Sequence, residues 1–154
     1  MGLYDNYAAV MEQINQAWRQ SEFSKLLGIS MIELSDEIGI AEMPLDNDKG
    51  NGNGEIQGGA YFSLADNAAG AAAWTWGKRN LGEDTTCVTV SSSFNFLRPT
   101  RNCRKAICKV TPRHTNHTVM MVDAVVYNEH GVKLCTGTFH MSFVQLDRYK
   151  NSRF

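Results

Sequence analysis

Apolar side chains near the start of the chain recur at the spacing of a helix. One stripe of them is formed by Tyr7, Val10, Met11, Ile14 and Trp18. This periodicity predicts a helix over residues 4–20. A second, short helix is expected from Ser21, and Gly28 is well placed to end it. Residues 29–34 and 38–43 then have extended patterns, which predict either a hairpin or one bent strand.

The middle of the chain combines an irregular loop with a long apolar helix. Residues 44–57 hold three glycines, three asparagines and three acidic residues. They form either a linker or a shaped loop, and the loop is favoured because the 43 residues before them are too few for a separate domain. Residues 58–76 are rich in alanine and predict a helix that ends near Gly77. Because apolar residues cover nearly every side, we expect that helix to be buried almost all round.

The last part of the chain has the alternation that is typical of β-strands. Four strands are predicted, over residues 85–97, 105–111, 118–127 and 132–144. In the first strand we expect one face to hold Val88, Val90, Phe94 and Phe96, and the other to hold Thr89, Ser91, Ser93 and Asn95. Turns over residues 112–117 and 128–131 make the last strands an antiparallel meander. One sheet curled around one buried helix predicts an α+β fold.

Length and composition indicate one ordinary domain. The chain has 154 residues, of which 43% are hydrophobic, and a formal net charge of −1. We expect a single domain over residues 1–154 with a helical extension over about residues 1–27. The balanced charge argues against a nucleic-acid binder with a broad basic face, and the basic tail of Arg148, Lys150 and Arg153 is short.

The sequence also predicts where the protein works. The longest apolar stretch, residues 68–76, is less than half of the roughly 20 residues that cross a bilayer, and the N-terminus lacks the regions of a signal peptide. No CxxC pair occurs among Cys87, Cys103, Cys108 and Cys135, so we expect free thiols in a reducing cytoplasm. Neither the cysteines nor the histidines have the paired spacing of a structural zinc site.

Asp66 is the one charged residue between Gly58 and Gly77. A lone carboxylate in an alanine-rich helix is costly to bury unless it is paired or hydrogen-bonded. Its neighbours on the same helix face are apolar, so it faces a polar cavity or meets groups from elsewhere in the fold. It is therefore a candidate for acid–base or nucleophilic chemistry. A loop anchor or an exposed position at the helix edge explains it equally well.

The start of this helix is a second candidate site. Its first residues are Gln57-Gly58-Gly59, and the first N–H groups of a helix have no internal partner and carry the positive end of the dipole. Such groups can stabilise the oxyanion formed when a carbonyl is attacked. Asp66 lies about 12 Å of helical rise further on, so the substrate lies along the helix or one group comes from a second subunit. A glycine-rich turn without a ligand is the alternative.

Three motifs around the helix stand in a distinctive order and spacing. They are Asn51, Gln57-Gly58-Gly59 and Leu64-Ala65-Asp66-Asn67-Ala68. Together with residues 88–99 and 131–144, they resemble the hotdog-fold thioesterases of the phenylacetic-acid-degradation type. The signature of that family is an Asn, a His-Gly-Gly, and an Asp or Glu within the central helix. The resemblance covers about residues 28–145 and implies a hotdog fold, an antiparallel sheet curled around a long central helix.

The resemblance implies hydrolysis of an acyl-CoA thioester, without a metal or other cofactor. Asp66 would be the nucleophile or the general base that activates water, and the Gly58 N–H would polarise the carbonyl. Asn51 would position the carbonyl or the water, and the Thr89 hydroxyl would help hold the water. The family forms this site in a homodimer or homotetramer, with the helix start and the carboxylate supplied by different subunits.

One position departs from the family, because Gln57 stands where His is usual. A Gln amide can bind a carbonyl or hold a loop, but it cannot titrate near neutral pH. The predicted substrate-binding residues are Gln57, Gly59, Arg98 and Arg101. The two arginines belong to a basic cluster with Arg104 and Lys105, which either meets the phosphates of CoA or is a solvated turn. Asn51 is placed at the site instead of Asn53 only because of the spacing between Asn51 and Asp66.

Other polar residues have simpler explanations. His114 and His117 are expected in an exposed turn, since no third metal ligand is near them in the sequence. His140 is expected to be packed or at an interface, and alternation explains Ser91 and Ser93 as one strand face. Three other functions stay open: a hotdog dehydratase or hydratase, which Gln57 disfavours, a non-catalytic acyl-CoA binding module, and a structural oligomerisation domain, which Asp66 disfavours.

Overall fold

A computed structural model describes residues 2–151 of the chain. Its helices are α1 (Tyr7–Gln20), α2 (Glu22–Leu27), α3 (Gly58–Leu81) and α4 (Leu146–Asn151). Its strands are β1 (Ser30–Leu34), β2 (Gly39–Pro44), β3 (Thr85–Phe96), β4 (Lys105–Thr115), β5 (Val119–Asn128) and β6 (Lys133–Gln145). The predicted order of N-terminal helices, extended pair, loop, long helix and four strands is confirmed.

Within residues 2–151, six strands form one antiparallel sheet in the order β1-β2-β4-β5-β6-β3. β1 and β2 pair as a hairpin, which excludes the alternative of one bent strand. β4, β5 and β6 form the predicted meander, and β3 lies beyond it, next to β6. The sheet curls around α3, which contacts every strand from β2 to β6. The α+β hotdog architecture implied by the resemblance is confirmed.

Alanine lets the sheet come close to α3. Most buried positions of this helix carry a small side chain: Ala60, Ala65, Ala68, Ala69, Ala71, Ala72 and Ala73. The predicted helix end near Gly77 is wrong, because α3 continues to Leu81. A Cβ on Gly77 would lie 3.0 Å from Cδ1 and Cε1 of Phe143 and 3.2 Å from Cγ2 of Thr85. This glycine therefore allows close packing against the sheet rather than ending the helix.

A β-bulge interrupts the alternation of β3. The pairing with β6 shifts between Thr89 and Ser91, which makes Val90 the extra residue. Thr89, before the bulge, hydrogen-bonds to α3. Phe94, after the bulge, packs on Phe62 of α3 with 5.5 Å between ring centroids. Because the side-chain period of a strand is two, one extra residue moves every later side chain to the other face.

The predicted faces of this strand are therefore wrong across the bulge. Val88 and Val90 do not share a face with Phe94 and Phe96. Thr89, which faces α3, does not share a face with Ser91, Ser93 and Asn95. Strict alternation failed because the bulge changes the pairing with β6, and that pairing is a long-range contact.

β4 is longer than predicted and includes part of the predicted turn over residues 112–117. Its register against β5 shifts between Pro112 and His114, and a proline, which has no N–H, is tolerated at such a bulge. The strand ends at Thr115. The turn is made at Asn116, whose Oδ1 accepts hydrogen bonds from two backbone N–H groups at 2.8 and 2.9 Å.

Arg148 and Lys150 of the basic tail lie in α4, and Arg153 lies outside the described residues. The cysteines of the described part are free thiols, with Cys108 and Cys135 buried. In the part of the chain that the structure describes, every helix is too short or too polar to cross a membrane.

Gly70 and Gly77 are expected to respond in opposite ways to the same substitution. A Cβ on Gly70 would meet only Cε of Met141, at 3.8 Å, so Gly70→Ala should stabilise the fold by up to about 1 kcal/mol through helix propensity. Gly77→Ala should destabilise it, because Phe143 stacks on Trp76 and has little room to move. Urea unfolding of both variants and the wild type measures the difference. Equal stabilities would contradict the packing role of Gly77.

Candidate active site

Asp66 and Thr89 form a hydrogen-bonded pair at the edge of α3. The Thr89 hydroxyl donates to Oδ1 of Asp66 over 2.7 Å. Asp66 is half-buried. Among the described residues, only Thr89 donates a hydrogen bond to the Asp66 carboxylate. The carboxylate is thus oriented through Oδ1 and keeps Oδ2 for other chemistry. Such a group can accept a proton from water or attack a carbonyl carbon.

The pair lines a cavity of about 370 Å³ between α1, α3 and strands β3 and β6. We call it the Asp66 cavity. Most of its lining is apolar, and includes Ile14, Ala17, Trp18, Ala71, Trp74 and Met141. Polar groups of Gln13 and Asn67 also border it. An apolar cavity of this size with a few polar side chains is typical of a site for a small organic group.

Cys87 also lines the Asp66 cavity, and sequence reasoning did not identify it. Its thiol donates to the carbonyl oxygen of Gly70 over 3.5 Å. Burial first, and the charge of Asp66 second, raise the pKa of this thiol to about 12. The thiol is therefore protonated at neutral pH and acts as cavity wall rather than as a nucleophile. Nothing in the local sequence indicates that Cys87 lines the cavity, because the side of β3 on which it lies depends on the register of that strand.

The start of α3 presents backbone N–H groups that no side chain within residues 2–151 caps. Gln57 occupies the N-cap position, is exposed, and makes no side-chain hydrogen bond to the helix. A Cβ on Gly58 would lie 2.9 Å from Cε1 of Phe96, whereas nothing lies within 4 Å of a Cβ on Gly59. A side chain at position 58 would therefore require the exposed Phe96 ring to shift, and Gly59 leaves the helix start open. Both N–H groups remain at the positive end of the helix dipole.

Gly58 borders a second cavity, of about 330 Å³, which we call the helix-start cavity. Asn51 and Arg98 line it as well. Oδ1 of Asn51 accepts hydrogen bonds from the backbone N–H groups of Asn53 and Glu55, at 2.9 and 3.2 Å. Asn51, rather than Asn53, therefore supplies the side chain that shapes the loop beside the helix start.

The predicted basic cluster is partly neutralised by acidic neighbours. Arg101 pairs with Glu55 at 3.0 Å, and Lys105 pairs with Glu42 at 2.8 Å. Arg98 is exposed beside the helix-start cavity, and within residues 2–151 it makes no ion pair. Arg98 is thus the member of the cluster best placed to meet an anion near the start of α3.

The predicted site residues form two groups rather than one. Asp66 and Thr89 line the Asp66 cavity, whereas Asn51, Gly58 and Arg98 line the helix-start cavity. Eight positions of α3 separate Gly58 from Asp66, a rise of about 12 Å. Reacting atoms must approach within about 3.5 Å. A carbonyl bound to the Gly58 N–H is therefore out of reach of Asp66 in the same chain.

The structure also brings together a pair that sequence reasoning dismissed. Ser91 Oγ and His140 Nδ1 lie 3.1 Å apart across β3 and β6. Both face away from α3, and among the described residues no carboxylate hydrogen-bonds to His140. The pair therefore lacks the third member that orients the histidine of a serine triad. His114, at the end of β4, instead contacts Asn116 at 3.3 Å.

Sequence comparison relates this chain to proteins that act on esters. A family model described as the thioesterase superfamily matches residues 53–135, a range that includes Gly58, Asp66 and Thr89. The relative named "Putative esterase ComA2", from Bacillus subtilis (strain 168), is 32% identical over 112 residues. The match covers 71% of this chain and 83% of the relative.

Several solved structures are similar to this one. A variant of thioesterase PA1618 from Pseudomonas aeruginosa has a TM-score of 0.80 at 25% identity, with 88% of this chain and 94% of that chain covered. The PaaI protein of the E. coli phenylacetic acid degradation operon has a TM-score of 0.75 at 20% identity, with 88% and 94% covered. A hypothetical thioesterase protein from Streptococcus pneumoniae TIGR4, solved with coenzyme A, has a TM-score of 0.70 at 21% identity, with 84% and 96% covered. At 20% and 21% identity, the similarities to the PaaI protein and to the Streptococcus pneumoniae protein show a shared fold alone.

The effect of the Asp66 charge on the Cys87 thiol can be tested through thiol reactivity. Alkylation of Cys87 should rise with pH towards about pH 12, because the thiolate is the reacting species and burial and Asp66 raise its pKa. Asp66→Asn removes the negative charge, so the apparent pKa of Cys87 should fall. Iodoacetamide labelling followed by peptide mass spectrometry measures the rate at each pH. Asp48→Asn, in the exposed loop, is the control, and an unchanged profile in Asp66→Asn would contradict the influence of the Asp66 charge on Cys87.

Proposed function

This chain belongs to the thioesterase superfamily and is a hotdog-fold thioester hydrolase, and on that premise we propose that it hydrolyses an acyl-CoA to a free acid and CoA at Asp66. The observation that carries this proposal is the Asp66–Thr89 hydrogen bond at the wall of a largely apolar cavity. The similar thioesterase solved with coenzyme A supports CoA as the thiol part of the substrate.

Asp66 can act in either of two ways. As a general base, its Oδ2 takes a proton from water, and the resulting hydroxide attacks the thioester carbonyl carbon. As a nucleophile, Oδ2 attacks that carbon itself, and water then hydrolyses the anhydride that forms. In both routes the C–S bond breaks and CoA leaves as a thiolate, which then takes up a proton. The Thr89 hydroxyl orients the carboxylate, and its lone pairs can accept a hydrogen bond from the water.

The proposed oxyanion donor is the Gly58 N–H of a second subunit. Attack places negative charge on the carbonyl oxygen, and an uncapped helix start stabilises such a charge through its N–H groups and dipole. The donor comes from the partner because Gly58 of the same chain lies about 12 Å from Asp66 along α3. Asn51 positions the carbonyl or the water at this helix start, and Gln57 and Gly59 border the same opening.

The free edge of β3 supports the association of two copies. β3 is 12 residues long, and in residues 2–151 its only neighbouring strand is β6. Val90, Phe96 and Leu97, at or beside this edge, are 59%, 57% and 49% exposed. A long edge strand with exposed apolar side chains tends to pair with another chain. We propose a homodimer that pairs along β3, and two such dimers can form a tetramer.

Arg98 and Arg101 are the proposed contacts to the phosphates of CoA. Arg98 is exposed at the helix-start cavity, and Arg101 is exposed although it pairs with Glu55. An arginine can exchange an exposed carboxylate partner for a phosphate because its planar group binds both in the same bidentate way.

Asp66→Ala is expected to lower turnover by at least about a hundredfold, because general base or nucleophilic catalysis is lost. Thr89→Val should lower kcat less, since Thr89 only orients the carboxylate. Thiol release from acetyl-, octanoyl-, palmitoyl- and benzoyl-CoA measures turnover, and calorimetry with CoA measures binding, which should be retained. Asp48→Asn is the matched control.

The same experiment separates the proposal from its alternative. Binding of CoA by the wild type, with no thiol release from any of the four thioesters, would contradict the proposal and favour an acyl-CoA binding module. Where turnover is found, a single turnover in ¹⁸O-labelled water adds detail, because label in the Asp66 carboxylate would identify the nucleophilic route.

Mixing two inactive variants tests whether the site is shared between subunits. Asp66→Ala lacks the carboxylate, and Gly58→Pro lacks the N–H while placing proline at the first helical position, where the backbone tolerates it. The proline Cβ would lie 2.9 Å from Cε1 of Phe96, so the Phe96 ring, which is 57% exposed, must shift. Gln57 already has the extended conformation, φ −61° and ψ 128°, that a residue before proline adopts. A heterodimer would hold one intact site of two, so an equimolar mixture refolded together should recover roughly a quarter of wild-type activity. Each variant refolded alone is the control, and an inactive mixture would place both groups in one chain.

A further inference from the structure

One wall of the Asp66 cavity comes from the N-terminal helix α1. The lining residues of this wall are Gln13, Ile14, Ala17 and Trp18. A stripe of α3 from Asp66 to Trp74 lies across from it. α1 precedes residues 53–135, which the thioesterase superfamily model matches, whereas Asp66 and Thr89 lie within them. The wall therefore belongs to the N-terminal segment of this chain and not to the matched region.

Contacts at its start and in its second half hold α1 in one place. The Asn15 side chain accepts a hydrogen bond from the Met31 N–H at 2.7 Å and donates to the Met31 carbonyl at 3.0 Å, which ties the helix to β1. Near the start of α1, the guanidinium of Arg79 on α3 donates to the Tyr7 hydroxyl. Val10, between these two contacts, is fully buried. α1 is thus a fixed wall of the cavity rather than a mobile cover.

The cavity limits the length of the group that lies in it. From Asp66 to Trp74, α3 rises about 12 Å. The Trp74 ring meets Tyr4 edge to face with 5.5 Å between centroids, and Nζ of Lys78 lies 5.5 Å from it, so this end is held by neighbours. An extended chain advances about 1.2 Å per bond, as in a polypeptide whose three bonds per residue span at most ~3.6 Å. An extended acyl chain of about ten bonds therefore fills the distance of about 12 Å between Asp66 and Trp74.

We propose that α1 forms the acyl-binding wall of this enzyme and that Trp18 limits the size of the acyl group, an inference that rests on the proposed function. The substrate class is the CoA thioester of a compact apolar acid, with one ring or a chain of up to about ten carbons. The indole of Trp18 is the largest side chain that α1 contributes to the cavity. The volume of the Asp66 cavity, about 370 Å³, is at the small end of the range for ligand sites.

Gly70 offers an independent way to change the same cavity. It lines the cavity one helical turn after Asp66, and a Cβ there would meet only Cε of Met141, at 3.8 Å. Gly70→Ala therefore adds a methyl group to the cavity without a clash. Trp18→Ala removes an indole from it. The two substitutions change the width in opposite directions, which a general loss of stability cannot imitate.

The test measures kcat/KM for thiol release with butyryl-, octanoyl-, palmitoyl-, benzoyl- and 2-naphthoyl-CoA. The wild type should prefer the butyryl, octanoyl and benzoyl thioesters to the other two. Trp18→Ala should raise the ratio of 2-naphthoyl to benzoyl by about tenfold or more, and Gly70→Ala should lower the ratio of benzoyl to butyryl by about tenfold, since small changes in an apolar pocket shift selectivity by such factors.

Trp76→Leu is the matched control, because Trp76 stacks on Phe143 at 5.3 Å and is not part of the cavity lining. Its ratios should equal those of the wild type. An active wild type with unchanged ratios in the Trp18 and Gly70 variants would overturn this inference and leave the proposed function intact. A wild type inactive on all five thioesters would overturn the proposed function itself. If circular dichroism shows that Trp18→Ala is unfolded, the ratios of Gly70→Ala decide.

Discussion

The close contact between α3 and the sheet is the constraint on which the candidate site depends. Alanine occupies most buried positions of the helix, and glycine stands at Gly77, where Phe143 lies against it. Small side chains let the strands curve around the helix, and ordering a buried alanine costs no side-chain entropy. The same closeness leaves no space for a solvated carboxylate on the buried side. Asp66 therefore lies at the border of this contact, where the cavity begins.

The bulge at Val90 reconciles two requirements on β3. Thr89 must face α3 to donate to Asp66, and Phe94 must face α3 to pack on Phe62. Positions 89 and 94 are five residues apart, and residues an odd number apart lie on opposite faces of a regular strand. One extra residue puts both on the same face. The oriented carboxylate and the aromatic packing thus depend on a single irregularity.

Local periodicity was enough to predict the helices and strands in their order, because each element depends on residue spacing within its own segment. Asp66 and the helix start could be identified by residue type for the same reason. The features that sequence reasoning missed depend on contacts between distant segments. From the sequence alone, Gly77 indicates a helix end. Only its packing against Phe143 shows why a glycine is present within the helix. Arg101 pairs with Glu55, 46 residues away.

The Asp66 cavity illustrates the same limit more clearly. Trp18 belongs to an apolar stripe, and the stripe alone predicts only that α1 packs on something. Which side chains of that stripe meet the sheet and which line a cavity depends on how α1 is fixed to β1 and α3. The catalytic candidate could therefore be predicted, but the shape of its surroundings could not.

The uncapped start of α3 is a feature that packing alone does not explain. α1 is capped by the Asn6 side chain and α2 by that of Ser21, whereas the longer α3 has Gln57 at this position without a capping bond. A capping side chain is worth about 1 kcal/mol, so α3 lacks a common source of stability. Under the proposed function, a cap would occupy the N–H groups that stabilise the oxyanion. Active sites often forgo local stability in this way, and the Gly58 N–H stays available because no side chain of residues 2–151 accepts a hydrogen bond from it.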